Sequence, residues 1–312
     1  MGGRDSVYCE STVYAFWKTL SISFFRPAAL RTMGSIFYNF FLCQYKRAFL
    51  PGRVPVTNVD HPLDEKIPFI PSWVTIYIDF TQFWIRILSF FIRRYGRRAY
   101  APIRDFIASM GNLYAYAAEI YGKNLSTTKR PFYIKRFRFL IIHMLDPHLM
   151  CIPSLHVMVV ILTYTKFEEI AKQLGDWKKL SSQIQEMKQG ALAISQAIFF
   201  VKQHSINCIP AALYAMTVYN PQLFPQKEAE KFISLLFSPA PSQENMPVGC
   251  RIHPAAAPST QIPAADQGQI KEHIFKLYRQ FLEEGKTARI WYEPILKFLQ
   301  NYNKNELLAN RI

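Results

Sequence analysis

Charge is scarce in this chain. Only 19% of its 312 residues are Asp, Glu, Lys or Arg, where ordinary soluble domains carry about 25%. Half of the residues are hydrophobic and 15% are aromatic, a balance that leans towards a lipid environment. The charge that is present is one-sided: 37 Lys and Arg against 22 Asp and Glu give a formal net charge of +15. Such an excess can serve nucleic acid, but no helix-turn-helix, zinc-finger or RNA-binding signature accompanies it. The basic residues instead flank apolar runs, as in membrane loops beside anionic head groups. A nucleic-acid partner is not expected.

Other signals are missing too. The five cysteines (Cys9, Cys43, Cys151, Cys208 and Cys250) form no Cys-x-x-Cys pair and no Cys/His ligand spacing, which argues against zinc. A cleavable signal peptide is not expected, because Arg4, Asp5 and Glu10 precede any apolar run. Met1-Gly2 with Ser6 fits a myristoylation pattern and Asn124-Leu125-Ser126 a glycosylation sequon; both patterns are short enough to recur by chance. There is no internal repeat.

The apolar runs order the rest. Residues 1–66 form an N-terminal segment, with an interfacial or first membrane helix in residues 12–42 and a proline-rich loop over 51–68. Residues 67–220 form the membrane core. Ile67–Ile92 is its strongest span, and it carries Asp79 and Arg86 seven residues apart on one helix face, a spacing suited to a buried ion pair. Arg93, Arg94, Arg97 and Arg98 follow and mark a cytoplasmic end. Residues 103–121, 154–166, 191–202 and 206–219 then cross alternately. Residues 132–149 lie along the outer surface, and a polar loop is expected over 167–190. Residues 221–268 read as a Pro- and Ala-rich linker. Residues 269–312 read as a cytoplasmic helical extension with apolar residues at helical spacing. The expected fold is all-α: a polytopic membrane bundle of about six membrane helices with a short helical C-terminal extension.

Three short pieces at helix ends carry chemistry. They are Lys123 followed after six residues by Arg130-Pro131, then Pro153-Ser154-Leu155-His156, then Gln203-His204-Ser205 with Cys208 four residues after His204. Together they supply two cations, a hydroxyl and two imidazoles, the inventory for holding a phosphate and passing it through a phosphohistidine. The inferred reversals of the chain put all three on the non-cytoplasmic side.

Here the chain resembles the type-2 phosphatidic acid phosphatase superfamily, integral-membrane lipid phosphatases and inositol-phosphoryl transferases, over roughly residues 65–220. The first two motifs match. In the third, Ala197-Ile198 stands where the family has Ser-Arg, and Cys208 where it has Asp. The resemblance implies His204 as nucleophile and His156 as general acid, with Lys123, Arg130 and Ser154 cradling the phosphate. It also implies that no metal or other cofactor is needed and that the substrate is a phosphorylated lipid or isoprenoid. Cys208 takes the position of the carboxylate that fixes the nucleophile's tautomer. Lys202, Arg136 and Arg138 are candidates to stand in for the missing Arg. His143, Asp146 and His148 have a metal-like spacing just before the second motif, although short polar clusters of this kind are usually solvated. Two readings remain: a working or weakened lipid phosphatase or phosphotransferase, and a catalytically silent relative that binds a phosphorylated lipid or serves as a membrane scaffold. Oligomeric state is not legible.

Overall fold

The computed structural model describes residues 6–49, 54–238 and 262–309, and they are overwhelmingly helical. The chain opens with α1 (Thr12–Ser21), whose N-terminus is capped by the Ser11 side chain accepting from the Tyr14 N–H, and α2 (Arg26–Ile36), which has Pro27 in its first turn. A π-helical stretch, Phe37–Leu42, continues α2 into α3 (Cys43–Phe49).

The expected span over 67–92 is broken. A 3-10 turn at Pro71–Trp73 leads into α4 (Val74–Ile78), and α5 (Phe80–Tyr95) begins after Asp79. The Asp79 carboxylate at this break takes a two-pronged pair of bonds from Arg86, both 2.8 Å, one turn-pair along α5. α5 ends at Gly96, whose φ of 54° is a conformation that glycine adopts at no steric cost. The turn carries Arg97 and Arg98 and opens into α6 (Tyr100–Tyr121).

Two short strands, β1 (Val56–Asn58) and β2 (Leu125–Thr127), pair in parallel just after α6. Nothing in the sequence pattern announced them. Ser126 also bridges to Met150, so β2 ties the first motif to the approach of the second. Between them lies α7 (Phe137–Leu145), exposed at Phe137 and Met144, in agreement with a surface helix.

α8 (Leu155–Gln173) is the axis of the fold. It is buried on every side from Leu155 to Phe167, packed by α5, α6, α9 (Ser181–Phe200) and α10 (Cys208–Tyr219). A helix enclosed in this way needs no polar face, which is why its sequence is apolar all round. α8 and α9 between them reach from 155 to 200, leaving only 174–180 as connection; the polar loop expected over 167–190 is therefore mostly helix, its lysines paired on the surface with acidic neighbours such as Glu168 and Glu228.

The residues expected as linker also contain a helix, α11 (Gln226–Leu235). The Pro- and Ala-rich part proper, 239–261, lies outside the described residues, as do Met1 and Gly2 of the myristoylation pattern. α12 (Ala264–Gly285) and α13 (Glu293–Ala309) realise the expected C-terminal helices. The sequence reading sets them apart from the motif face; in the structure they pack on α10 and β1, at the end of the bundle that carries His204.

Among the described residues no single helix is long and apolar enough to cross a membrane. One bent pair, Pro71–Ile78 with Phe80–Tyr121, passes on length and composition together, with a bend of 40°.

Candidate functional site

The two histidines meet. His204 Nε2 lies 3.3 Å from His156 Nδ1, although the residues are 48 apart in sequence. His156 sits in the first turn of α8, where backbone N–H groups lack intrahelical acceptors. Its ring is held between Tyr77 and Phe80, at centroid distances of 4.4 and 4.2 Å. His204 follows the end of α9, in the turn before α10. That turn is fixed by Asp64: one carboxylate oxygen accepts the Ile206 N–H at 2.8 Å and the other the His61 N–H at 2.8 Å. Burial raises the Asp64 carboxyl above its usual range, against the hydrogen bonds from Ser205, Ile206 and His61 that favour its charged form.

The two rings line a small cavity with Asp146, His148, Cys151 and Leu155, closed from the N-terminal side by Phe40 and Gln44. About 20 Å³ of it is open to the centre of a water-sized sphere, space for one water. The site is shut in this conformation.

Arg130 stands at its edge. One guanidinium nitrogen donates to Gln203 Oε1 at 3.3 Å and another to the Asp146 carbonyl at 3.1 Å, so the first-motif arginine is tied to the residue before His204. Ser154 precedes α8 in an extended conformation, fully buried, and its hydroxyl has no hydrogen-bond partner. A buried orphan hydroxyl costs about 1–3 kcal/mol, but Ser154 is not among the residues that line the cavity. Lys123 is different. It is exposed just past the end of α6 and lines no part of the cavity. Its expected role as a phosphate contact is not met here, because the backbone turns into β2 immediately after it.

Cys208 begins α10, fully buried. Its thiol meets that of Cys151, and both are free thiols. His204 Nδ1, the atom for which the resemblance expects a carboxylate, is buried and makes no hydrogen bond to a side chain, Cys208 included. Burial holds His204 below its usual imidazole range, with His148 acting the same way and Cys151 and Asp146 opposing it.

None of Lys202, Arg136 and Arg138, the candidates for the Arg that the resemblance calls for, lines the cavity: Lys202 donates to the Asp64 carbonyl and Arg138 to Thr75 Oγ1. The His143, Asp146 and His148 trio does not converge on a metal. Asp146 accepts the His148 N–H at 2.8 Å in a local turn, His148 Nε2 faces Thr128 Oγ1 at 2.9 Å and the Cys151 thiol at 3.8 Å, and His143 packs against Phe132. Among the described residues no three His, Cys, Asp or Glu side chains are placed to hold a metal ion. The sequon at Asn124 is also closed: Asn124 is fully buried and donates to Thr57 Oγ1 at 2.8 Å.

Sequence reasoning gave no role to Cys151, Thr128 or the Tyr77–Phe80 contacts on His156, and quoted Gln203 in the third motif without assigning it one. Cys151 adjoins the second motif and was within reach. Phe40, Gln44 and Asp64 had no local signal, since only the fold brings them in. Compared with protein-family models, with curated proteins and with solved structures, the chain matches none.

Proposed function

We propose that this protein is a polytopic membrane phosphatase or phosphotransferase of the type-2 phosphatidic acid phosphatase kind, acting on a lipid phosphate or pyrophosphate ester. One observation carries the reading: His156 and His204, read from separate motifs, share a buried cavity with Arg130 fastened beside it. His204 attacks phosphorus, and the P–O bond to the lipid alkoxide breaks as His156 delivers its proton. Water, or a second hydroxyl in a transfer reaction, then takes the phosphoryl group from His204. Arg130 and the free Ser154 hydroxyl draw charge from the phosphoryl oxygens. The substrate phosphate fills the water-sized gap and parts the two rings.

The membrane placement is supported by exposed large apolar side chains, among them Trp17 and Phe37 at 63% and 62% and Phe132 at 82% exposure. It is supported also by the arginine run that ends α5. The test is phosphate release from a panel of lipid phosphates by detergent-purified protein, with His204→Ala as control. Release that disappears in the variant upholds the enzyme; equal release from both sinks it.

A second reading is favoured by His204 Nδ1, which makes no side-chain hydrogen bond, and by Cys208, which faces Cys151 rather than a base. On that reading the site binds a phosphorylated lipid without turning it over. It predicts no release above the control across the panel, with retained binding of the lipid phosphate.

A further inference from the structure

A second cavity lies far from the histidines and is much larger. It opens between α2 and α6 with a volume of about 550 Å³, within the range of small-molecule sites. Two cations line it, Arg31 on α2 and Arg104 on α6. Arg104 is set in place by Phe24, its guanidinium 4.4 Å from the ring centre. Neither guanidinium has an acidic partner among the described residues. Asp105 also lines the cavity, but its charge is answered from outside by Lys166 at 2.7 Å. The floor is built from interhelical hydrogen bonds: Thr32 Oγ1 donates to the Ile107 carbonyl and Ser35 Oγ to the Gly111 carbonyl, both at 2.7 Å. The helices can approach so closely because a Cβ at Gly111 would meet Thr32 Oγ1 at 2.8 Å.

Thr32 also borders a separate cleft of about 160 Å³. Trp84, Ile85, Met33 and Phe16 line this cleft, which is almost wholly apolar. A cationic chamber thus shares a wall with a hydrocarbon slot. Arg104 is about 25 Å along α6 from Tyr121, which bonds the second-motif Pro153 carbonyl.

We infer that this chamber binds the head group of an anionic phospholipid of the bilayer, the phosphodiester on Arg31 and Arg104 and an acyl chain against Trp84. Paired guanidinium groups suit phosphate oxygens in number and geometry. The neighbouring slot selects an amphiphile over a soluble anion. This lipid is separate from any substrate at His204, and the site stands whether or not the histidines turn over phosphate.

The full chain in neutral detergent, titrated with short-chain phosphatidylglycerol and with phosphatidylcholine of the same chain length, tests this by thermal shift and by native mass spectrometry. Phosphatidylglycerol raises the unfolding midpoint and travels with the protein; phosphatidylcholine does neither. Arg31→Gln and Arg104→Gln each weaken binding about tenfold. An unfolding midpoint in the absence of lipid that is unchanged in the Gln variants shows that fold is not what was lost. His204→Ala leaves the response unchanged. Equal binding by the Gln variants, or loss of the response in His204→Ala, overturns the assignment. So does an equal shift from glycerol phosphate at the same concentration, which would make the chamber a site for soluble anions.

Discussion

His156 Nδ1 and His204 Nε2 face each other at 3.3 Å, and one proton serves both. If each nitrogen carried a hydrogen the contact would be repulsive, so at any moment one ring donates and the other accepts. In the proposed reaction, this arrangement sets a neutral nucleophile beside the acid that protonates the leaving group. Substituting either residue by Ala should therefore abolish release from an alkyl phosphate, by about 10³-fold or more. The two variants should part on an activated ester. With p-nitrophenyl phosphate the leaving group needs no proton, so His156→Ala recovers much of its rate while His204→Ala does not.

The acid limb of kcat/KM should lie below the ordinary imidazole range. Burial disfavours the charged form of His204, so the ring stays neutral and nucleophilic as pH falls past about 6.5. A pH–rate profile of kcat/KM measures this. A limb at or above that value would assign the titration to another group.

Cys208→Asp places a carboxylate at the start of α10, four residues after His204, whose Nδ1 makes no side-chain hydrogen bond. Loss of such a partner elsewhere lowers kcat by about 10⁴, so its return should raise turnover by at least about tenfold. Cys208→Ser, similar in size and uncharged, should not. A buried carboxylate is costly, and the same variant should melt at lower temperature. If turnover is unchanged while the protein folds, Nδ1 is not the limiting defect.

His61 and His273 stack at 4.1 Å between ring centres, and His273 is pushed down to about 4 by burial and by His61. His61 is lowered as well, by burial. Both shifts have the same sign: the unfolded chain binds protons more readily, so stability rises with pH in this window. The contribution is complete above about 6.5 and is lost as pH falls towards 4. Melting curves across this range should show the fall, and His273→Gln, which keeps a donor for the Asn207 side chain, should flatten it.

Gly190 leaves room for Tyr8. A Cβ there would come within 1.8 Å of the Tyr8 hydroxyl and 2.6 Å of Phe83 Cε2, so Gly190→Ala should destabilise by about 1–3 kcal/mol. The Tyr8 hydroxyl is buried without a partner, and Tyr8→Phe alone should be neutral or stabilising. Combined with Gly190→Ala it should recover part of the loss, a coupling that chemical denaturation of the double variant would read.

The legible parts of this chain are those in which neighbours in sequence act together. The apolar runs gave α6, α8, α9 and α10; Asp79 and Arg86, seven residues apart on one helix face, gave their ion pair. His156 and His204 were visible because each stands in a short motif at a helix end. Lys123 was misplaced because its distance from Arg130 in sequence says nothing of the direction taken by β2, whose partner strand lies some seventy residues earlier. The polar face of α9 resembled a loop because its charges pair across helices, with Lys188 meeting Glu228 at 3.1 Å. Asp64 and Gln44 reach the site only through tertiary packing, and no local spacing marks them.

The tail of the chain and its centre share one residue. Asn207, adjacent to Cys208, donates to Tyr302 Oη at 3.1 Å and lies 2.8 Å from His273 Nε2, and Tyr302 in turn donates to the Asp60 carbonyl at 2.7 Å. The motif-bearing core is therefore not an autonomous unit. Cutting the chain at residue 262 would remove two of the three partners of the Asn207 amide and leave the Val59 carbonyl, at 3.1 Å, as its remaining hold beside the His204 turn. What looks like an appendage is a brace on the turn that carries His204.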